Sequence, residues 1–251
     1  MILVAMSYAN GSLNTQMAAN EFSSNKQFMQ TTGLQIDDIA WTIGRTQTVT
    51  YASKFGFLSY TESALNYTIQ VYSNNLLLAN FSSPATGIIQ YKIPVDSYSL
   101  GNNYFERVPF STNGSFLQSG SSAPVSQVFC TEKILNNQTS YTQIVLVPTI
   151  RMLNSSVTGP QPINYLKFYM PYLINGGSTF SSSPSITLTG ENVAKTTETN
   201  VNKIVITVSP NTQSGFDSSF FNFPNNTITL NMSNSVVEFY SGEVQVTEGH
   251  V

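Results

Sequence analysis

Eight asparagines in this 251-residue sequence stand two residues before a serine or threonine, with no proline between. This Asn-X-Ser/Thr pattern is the acceptor signal for N-linked glycosylation of secreted proteins. The eight are Asn10, Asn66, Asn80, Asn113, Asn137, Asn154, Asn225 and Asn231. Chance alone gives about six such sites in a chain this rich in asparagine, serine and threonine. Whether the eight sites indicate glycosylation therefore depends on the rest of the composition. Asn113, Asn137, Asn154 and Asn225 lie in predicted loops or turns and are expected to be the most accessible.

Residues suited to catalysis are scarce. The sequence has one histidine, His250, and one cysteine, Cys130, so it offers no internal histidine for a Ser-His-Asp triad or a Cys-His pair. The apolar neighbours of Cys130 favour a small buried side chain, with a reactive or intermolecular thiol as the alternative. Among the 13 carboxylates only Asp37 and Asp38 are adjacent, and on a helix they point in different directions. We therefore predict that the protein is not an enzyme.

No cofactor is predicted, because the histidine and cysteine ligands of most metal sites are missing. Calcium, which binds carboxylate and amide oxygens, remains an alternative, although no Asp-x-Asp-x-Asp run is present. The ten lysines and arginines are scattered singly and the net charge is −3. Nucleic acid is therefore not an expected partner.

Charged residues make up only 9% of the chain, against roughly 25% in ordinary soluble domains. Serine, threonine and asparagine fill the gap with 85 of 251 residues. A surface built from hydroxyls, amides and attached glycans suits an extracellular or cell-surface protein better than a cytosolic one, which more often relies on charge for solubility.

The amino-terminal region has the strongest helical pattern. Residues 1–12 begin with the apolar run Met1–Ala9, which we interpret as the end of a membrane or filament-core helix whose start lies upstream. A short buried strand or helix start is the alternative. Residues 13–48 are predicted as an amphipathic helix. Its packing face against the sheet is assigned to Ile36, Ile39 and Ile43, whose spacing matches one helix face, together with Trp41.

Residues 49–251 are predicted to form a β-rich extracellular domain. Segments such as Tyr67–Tyr72, Tyr141–Val147 and Asn202–Val208 alternate with period two and are rich in β-branched and aromatic residues. The expected fold is mainly β with a long N-terminal α-helix, in which an antiparallel β-sandwich packs on the helix. Two β units with a boundary near residues 176–185 are an alternative.

Two segments carry a resemblance to a known class of proteins. Residues 31–49, TTGLQIDDIAWTIGRTQTV, and residues 235–246, SVVEFYSGEVQV, are similar to segments of archaeal envelope proteins. A long apolar helix followed by a Ser/Thr/Asn-rich β domain resembles the layout of archaeal type IV pilins and related secreted surface proteins. The resemblance implies a filament subunit or membrane-tethered envelope protein that assembles with itself or with other envelope proteins. Membrane contact would come only through an upstream segment, because pilins carry about twenty apolar residues there.

Two other functions are compatible with the sequence. In the first, residues 1–9 donate a strand to the open sheet of a neighbouring subunit and so build a filament. In the second, the protein is a carbohydrate-binding adhesin whose platform includes Tyr165, Phe168, Tyr169 and Tyr172. A strand at residues 1–9 would favour the first alternative, and an exposed aromatic row would favour the second.

Overall fold

The computed structural model describes residues 2–82, 85–109, 113–132, 140–157, 163–177 and 183–249. Helix α1 (Ile2–Ile39) opens the chain, and a 3-10 turn (Thr212–Ser214) and the short helix α2 (Ser218–Phe221) come late. The strands of the described part are β1 (Thr46–Thr50), β2 (Phe57–Ser73), β3 (Leu76–Ser82), β4 (Thr86–Pro94), β5 (Phe105–Val108), β6 (Leu117–Ser119), β7 (Ser126–Thr131), β8 (Tyr141–Pro148), β9 (Ile150–Val157), β10 (Ile163–Asn175), β11 (Ser185–Pro210) and β12 (Thr227–Glu248). The protein is thus mainly β with one long N-terminal helix.

The strands of the described part join in one mixed sheet. Its order is β5-β7-β8-β4-β2-β11-β12-β10-β9-β6, while β1 pairs with β11 and β3 pairs with β2. Most pairs are antiparallel, but β10 lies parallel to β12 and β6 lies parallel to β9. The expectation of a purely antiparallel sheet is therefore wrong. The connections from β10 to β12 and from β6 to β9 are long enough for the chain to return to the same end, as parallel pairing requires.

Residues 176–185 do not separate two β units. Strand β11 follows this segment, yet it pairs with β1 and β2, which precede it. Strand β12 likewise pairs with β10. Composition cannot show which strands pair across this segment, of which the structure describes residues 176–177 and 183–185.

Two hydrophobic cores lie on opposite faces of the same strands. In β8, Ile144 and Leu146 belong to the core that α1 covers, whereas Val145 and Val147 belong to the other. We call them the helix core and the sheet core. The sheet core is rich in phenylalanine and draws side chains from β2, β10, β11 and β12. Burial on both faces explains the unbroken apolar run of β8.

Helix α1 contains residues of both N-terminal segments that were predicted separately. Residues 2–12 and the predicted amphipathic segment form one continuous helix, because no proline interrupts them. The helix ends at Ile39, however, and not at residue 48 as predicted. Beyond it, Gly44 adopts a left-handed backbone (φ 78°), and β1 begins two residues later. The Thr-rich sequence of β1 follows strand periodicity, has a high β-propensity and pairs with β11.

Because α1 ends before residue 48, only some of the predicted packing residues lie on the helix face that packs on the sheet. Ile36 and Ile39 are fully buried in the helix core, and Trp41 is partly buried against it. Ile43 is 65% exposed, so its assignment to the packing face is wrong. The i, i+3, i+4, i+7 spacing holds only while the chain stays helical, and Ile43 lies in the turn after Ile39.

Candidate assembly and modification sites

The two halves of α1 have different surroundings. From Ala18 onward the helix buries one face on the sheet, with Ala18, Phe22 and Met29 at most 3% exposed. Before Ala18, the side chains that the structure describes are those of Met6 and residues 9–17, and all are exposed except the partly buried Met17. Met6 is 61% exposed and Leu13 is 58% exposed. The first sixteen residues of the helix therefore extend past the sheet.

Glu21 fixes the helix at the point where it leaves the sheet. The buried carboxylate accepts hydrogen bonds from the backbone N–H groups of Lys54 (2.9 Å), Phe55 (2.9 Å) and Gly56 (3.0 Å), and from the hydroxyl of Tyr91. Burial, followed by this bond to Glu21, raises the pKa of Tyr91 well above its usual value, so the hydroxyl stays a donor. Charge-assisted bonds of this kind are among the stronger ones in proteins.

One helical turn further on, two more contacts hold α1. The buried Asn25 donates from Nδ2 to the carbonyl oxygen of Ala52 at 2.8 Å. Lys26 forms an ion pair with Glu106 of β5 at 3.1 Å. Burial alone would raise the pKa of Glu106, but the hydrogen bonds from Tyr104 and Lys26 outweigh it and lower that pKa. The helix is thus held by polar contacts as well as by its apolar face.

The carboxyl end of α1 is held by a second polar group. Asp37 accepts hydrogen bonds from Trp41 Nε1 at 3.0 Å and from Arg151 of β9 at 2.7 Å. The Arg151 guanidinium lies over the ring of Tyr169, and Trp41 meets the same ring edge-on at 5.2 Å between centroids. Asp37 therefore acts as a structural ion-pair partner.

Two glycines of the sheet let the helix end approach closely. A Cβ atom at Gly190 would lie 2.5 Å from the carbonyl oxygen of Thr42 and 2.7 Å from that of Ile39. A Cβ at Gly242 would collide with the carbonyl oxygen of Ala40. Gly190 also exchanges backbone hydrogen bonds with Gly44 and Arg45. The sequence pattern predicted none of these contacts, because they join residues about 150 to 200 positions apart.

The sequons occupy varied positions. Asn10 is exposed on the protruding half of α1, and Asn113 and Asn225 are exposed in loops. Exposed positions within strands hold Asn80 in β3, Asn154 in β9 and Asn231 in β12. Asn154 was expected in a loop but lies in β9, where residues 154–157 are all exposed and therefore show no period-two alternation. Asn66 is partly buried in β2, opposite Ser209 of β11. Asn137 lies outside the described residues.

A ladder of charged and aromatic side chains crosses four strands. Arg151 of β9 lies over Tyr169 of β10, whose ring stacks on Tyr240 of β12 at 4.9 Å and 7°. Lys195 of β11 lies over Tyr240 and pairs with Glu238 at 2.6 Å. The hydrogen bond from Lys195 is the main reason that the pKa of Glu238 falls to about 2. The accessible ring faces are thus engaged within the protein.

The aromatic platform assigned to β10 does not form one surface. Phe168 is 1% exposed and Tyr172 is 9% exposed, whereas Tyr165 and Tyr169 are partly exposed. Successive side chains of a strand point to opposite faces, so a run of neighbouring aromatic residues divides between core and surface.

Groups suited to metal or thiol chemistry do not come together. Among the residues that the structure describes, no three His, Cys, Asp or Glu side chains are close enough to hold a metal ion. Burial raises the pKa of the Cys130 thiol to about 12, so this cysteine is protonated and unreactive at neutral pH. His250 lies outside the described residues.

Comparison with known proteins gives no relative from which a role could be transferred. No family model, curated protein or solved structure matches this chain. Within the described residues, no helix combines the length and the apolar character needed to cross a membrane.

Proposed function

We propose that this chain is a non-enzymatic structural protein of the cell surface, in which the first half of α1 joins a filament core or a membrane-tethering helix. The observation that carries the proposal is the contrast within α1. Residues 18–39 are fixed to the sheet, while Met6 and Leu13 are exposed beyond it. The rest of the protein is then displayed outward from this helix.

An exposed apolar helix needs a partner. No charged residue precedes Glu21, and the sequence of residues 1–9 is almost entirely apolar. A free helical segment of about 15 residues is only marginally stable in water, and it gains stability mainly by packing an apolar face. Helices of other copies would pack against that face, or an upstream segment would bring it to a membrane.

The β part has properties suited to display. Its surface is neutral and polar, so neighbouring copies repel each other little. In this proposal the sheet encloses the sheet core as a sandwich. The ring centroids of Phe81 of β3 and Phe239 of β12 lie 5.0 Å apart, which supports this packing. N-glycans on the exposed sequons would add solubility at an extracellular location.

The layout supports a pilin-like subunit over the two alternatives. Strand donation requires residues 1–9 to be extended, whereas residues 2–9 are helical here. An adhesin would need open aromatic faces, whereas Tyr169 and Tyr240 stack on each other beneath Arg151 and Lys195. The long helix followed by a β domain resembles the layout of archaeal type IV pilins.

The proposal is tested with paired substitutions on one helix. Met6→Glu combined with Leu13→Glu places two charges on the protruding half and should abolish polymers or envelope association in natively produced material. Leu34→Glu is the matched control, because Leu34 is 68% exposed on the packed half of the same helix. Electron microscopy and sedimentation measure the outcome. A native wild-type protein that sediments only as a soluble monomer would refute the assembly role.

A further inference from the structure

We propose that N-glycans at Asn80, Asn154 and Asn231 cover the uncharged open edges of the sheet. The inference rests on the proposed glycosylation, and it assigns these three sequons a role that the loop sequons do not share. A strand edge with unpaired N–H and C=O groups can pair with another chain, and proteins block such edges with charges, proline or short strands.

Several open edges of the described sheet carry the usual protection. Among the strands that the structure describes, none pairs with the outer side of β11 over residues 191–198, which hold Glu191, Lys195 and Glu198. The outer strand β5 contains Glu106 and Arg107. The free side of β10 beyond Tyr169 contains Pro171, and β6 has only three residues.

Three other open edges have neither charge nor proline. Strand β3 pairs only with β2 among the described strands. Within the described part of the chain, β9 pairs only with β10 over residues 153–157, and β12 pairs only with β11 over residues 227–231. Each of these segments contains one exposed sequon asparagine, namely Asn80, Asn154 or Asn231. The five-residue β1 is another uncharged edge, and it begins beside the Arg45–Asp38 ion pair.

The β3 edge is the most apolar of the three. Leu76, Leu77 and Leu78 are 69%, 46% and 40% exposed. Leu78 is the extra residue of a bulge, because Leu77 pairs with Tyr72 and Ala79 pairs with Val71. No charged residue occurs anywhere between Glu62 and Lys92. A bulky hydrophilic group on Asn80, two residues from Leu78, would oppose the approach of a second strand.

The other two edges face each other across a groove. Its volume is about 310 Å³, and Asn154 and Asn231 both line it. Met152 and Leu230, which also line the groove, pack against the sheet core. The groove is thus an opening toward the apolar interior with a sequon on each side. Glycans linked to Asn154 and Asn231 are the occupants that we assign to it, because both asparagines line the groove and are exposed.

Asn66 provides an internal contrast. It lies in a paired stretch of β2 and is partly buried, so it has no open edge to cover. We expect glycans on the three edge sequons and none on Asn66. Peptide mass spectrometry of natively produced protein measures this occupancy.

The role itself is tested by removing glycans in two matched sets. The triple variant Asn80→Gln, Asn154→Gln, Asn231→Gln should begin to aggregate at about a tenfold lower protein concentration than the glycosylated wild type. The double variant Asn113→Gln, Asn225→Gln, which removes loop glycans only, should behave as wild type. In a host that adds no glycans, Asn80→Lys, Asn154→Lys, Asn231→Lys should restore solubility, because lysine protects an edge by charge. Light scattering records the onset of aggregation.

The outcomes separate this inference from the proposal on which it rests. Glycans on the loop sequons but not on the edge sequons would overturn the edge role and leave a glycosylated surface protein intact. Equal aggregation of the triple and double variants would also overturn it. Unmodified asparagines at all eight sites would instead remove glycosylation from the proposed function.

Discussion

The two halves of α1 form one continuous helix, but they differ in what stabilises them. Residues 18–39 bury Phe22, Met29, Ile36 and Ile39 and are held by Glu21 and Asp37. Among residues 2–17, the side chains that the structure describes are largely exposed and have no comparable support from the sheet. The packed half therefore belongs to the folding unit, whereas the protruding half depends on whatever it meets outside the chain.

The comparison predicts opposite responses to the same kind of change. Ile39→Asp places an unpaired charge in the helix core and should lower the free energy of unfolding by about 4 kcal/mol or more. Leu13→Asp changes an exposed side chain on the protruding half and should stay within about 0.5 kcal/mol of wild type. Urea denaturation measures both. A similar loss in the two variants would show that residues 2–17 are part of the cooperative unit.

Glu21 marks the border between the halves. Glu21→Ala leaves three backbone N–H groups and the Tyr91 hydroxyl without their acceptor, and it should cost about 3 kcal/mol. Gln16→Ala, five residues earlier, removes only an exposed 3.3 Å contact with Asn20 and should be nearly neutral. Thermal unfolding by circular dichroism distinguishes the two. A neutral Glu21→Ala would mean that α1 is not held at residues 54–56.

Glycine substitutions should act in opposite directions. Gly242→Ala forces a Cβ against the carbonyl of Ala40 and should destabilise by about 1–3 kcal/mol. Gly11→Ala lies in the protruding half, where an added Cβ would meet no atom within 4 Å, so it should stabilise the helix locally by up to about 1 kcal/mol and leave the melting temperature of the packed part unchanged. Circular dichroism measures both the helix content and the melting temperature. A stabilising Gly242→Ala would contradict the close approach of helix and sheet.

The smallest expected effect is a pH dependence. The pKa of Glu106 is lowered in the folded protein from its ordinary value of 4.5, so its contribution is present above pH 4.5 and is lost as pH falls through the folded pKa. Glu106→Gln should therefore flatten the loss of stability in acid by at most about 1 kcal/mol, because both partners are partly exposed. Denaturation midpoints from pH 7 to pH 3 measure the slope. An unchanged slope would show that the Lys26–Glu106 pair contributes nothing.

Local pattern was enough to predict the long helix, the β-rich remainder and the burial of Ile36 and Ile39. It failed at Ile43, because the competing partner of that segment, β11, begins about 140 residues later. The same limit applies to Glu21, Gly190 and Gly242, whose roles exist only once distant strands are in place. The parallel pairing of β10 with β12 is likewise a property of chain crossing, which periodicity within one strand does not encode.

The most direct test of the proposed role measures the accessibility of the protruding helix in native material. Cys130 is buried and its pKa is raised to about 12, so thiols introduced by Met6→Cys, Leu13→Cys and Leu34→Cys can be labelled selectively with a maleimide. In the purified monomer all three should react. In native polymers or envelopes the thiols of Met6→Cys and Leu13→Cys should be protected, while that of Leu34→Cys should still react. Equal labelling of all three in native material would contradict the assignment of residues 2–17 to assembly or anchoring.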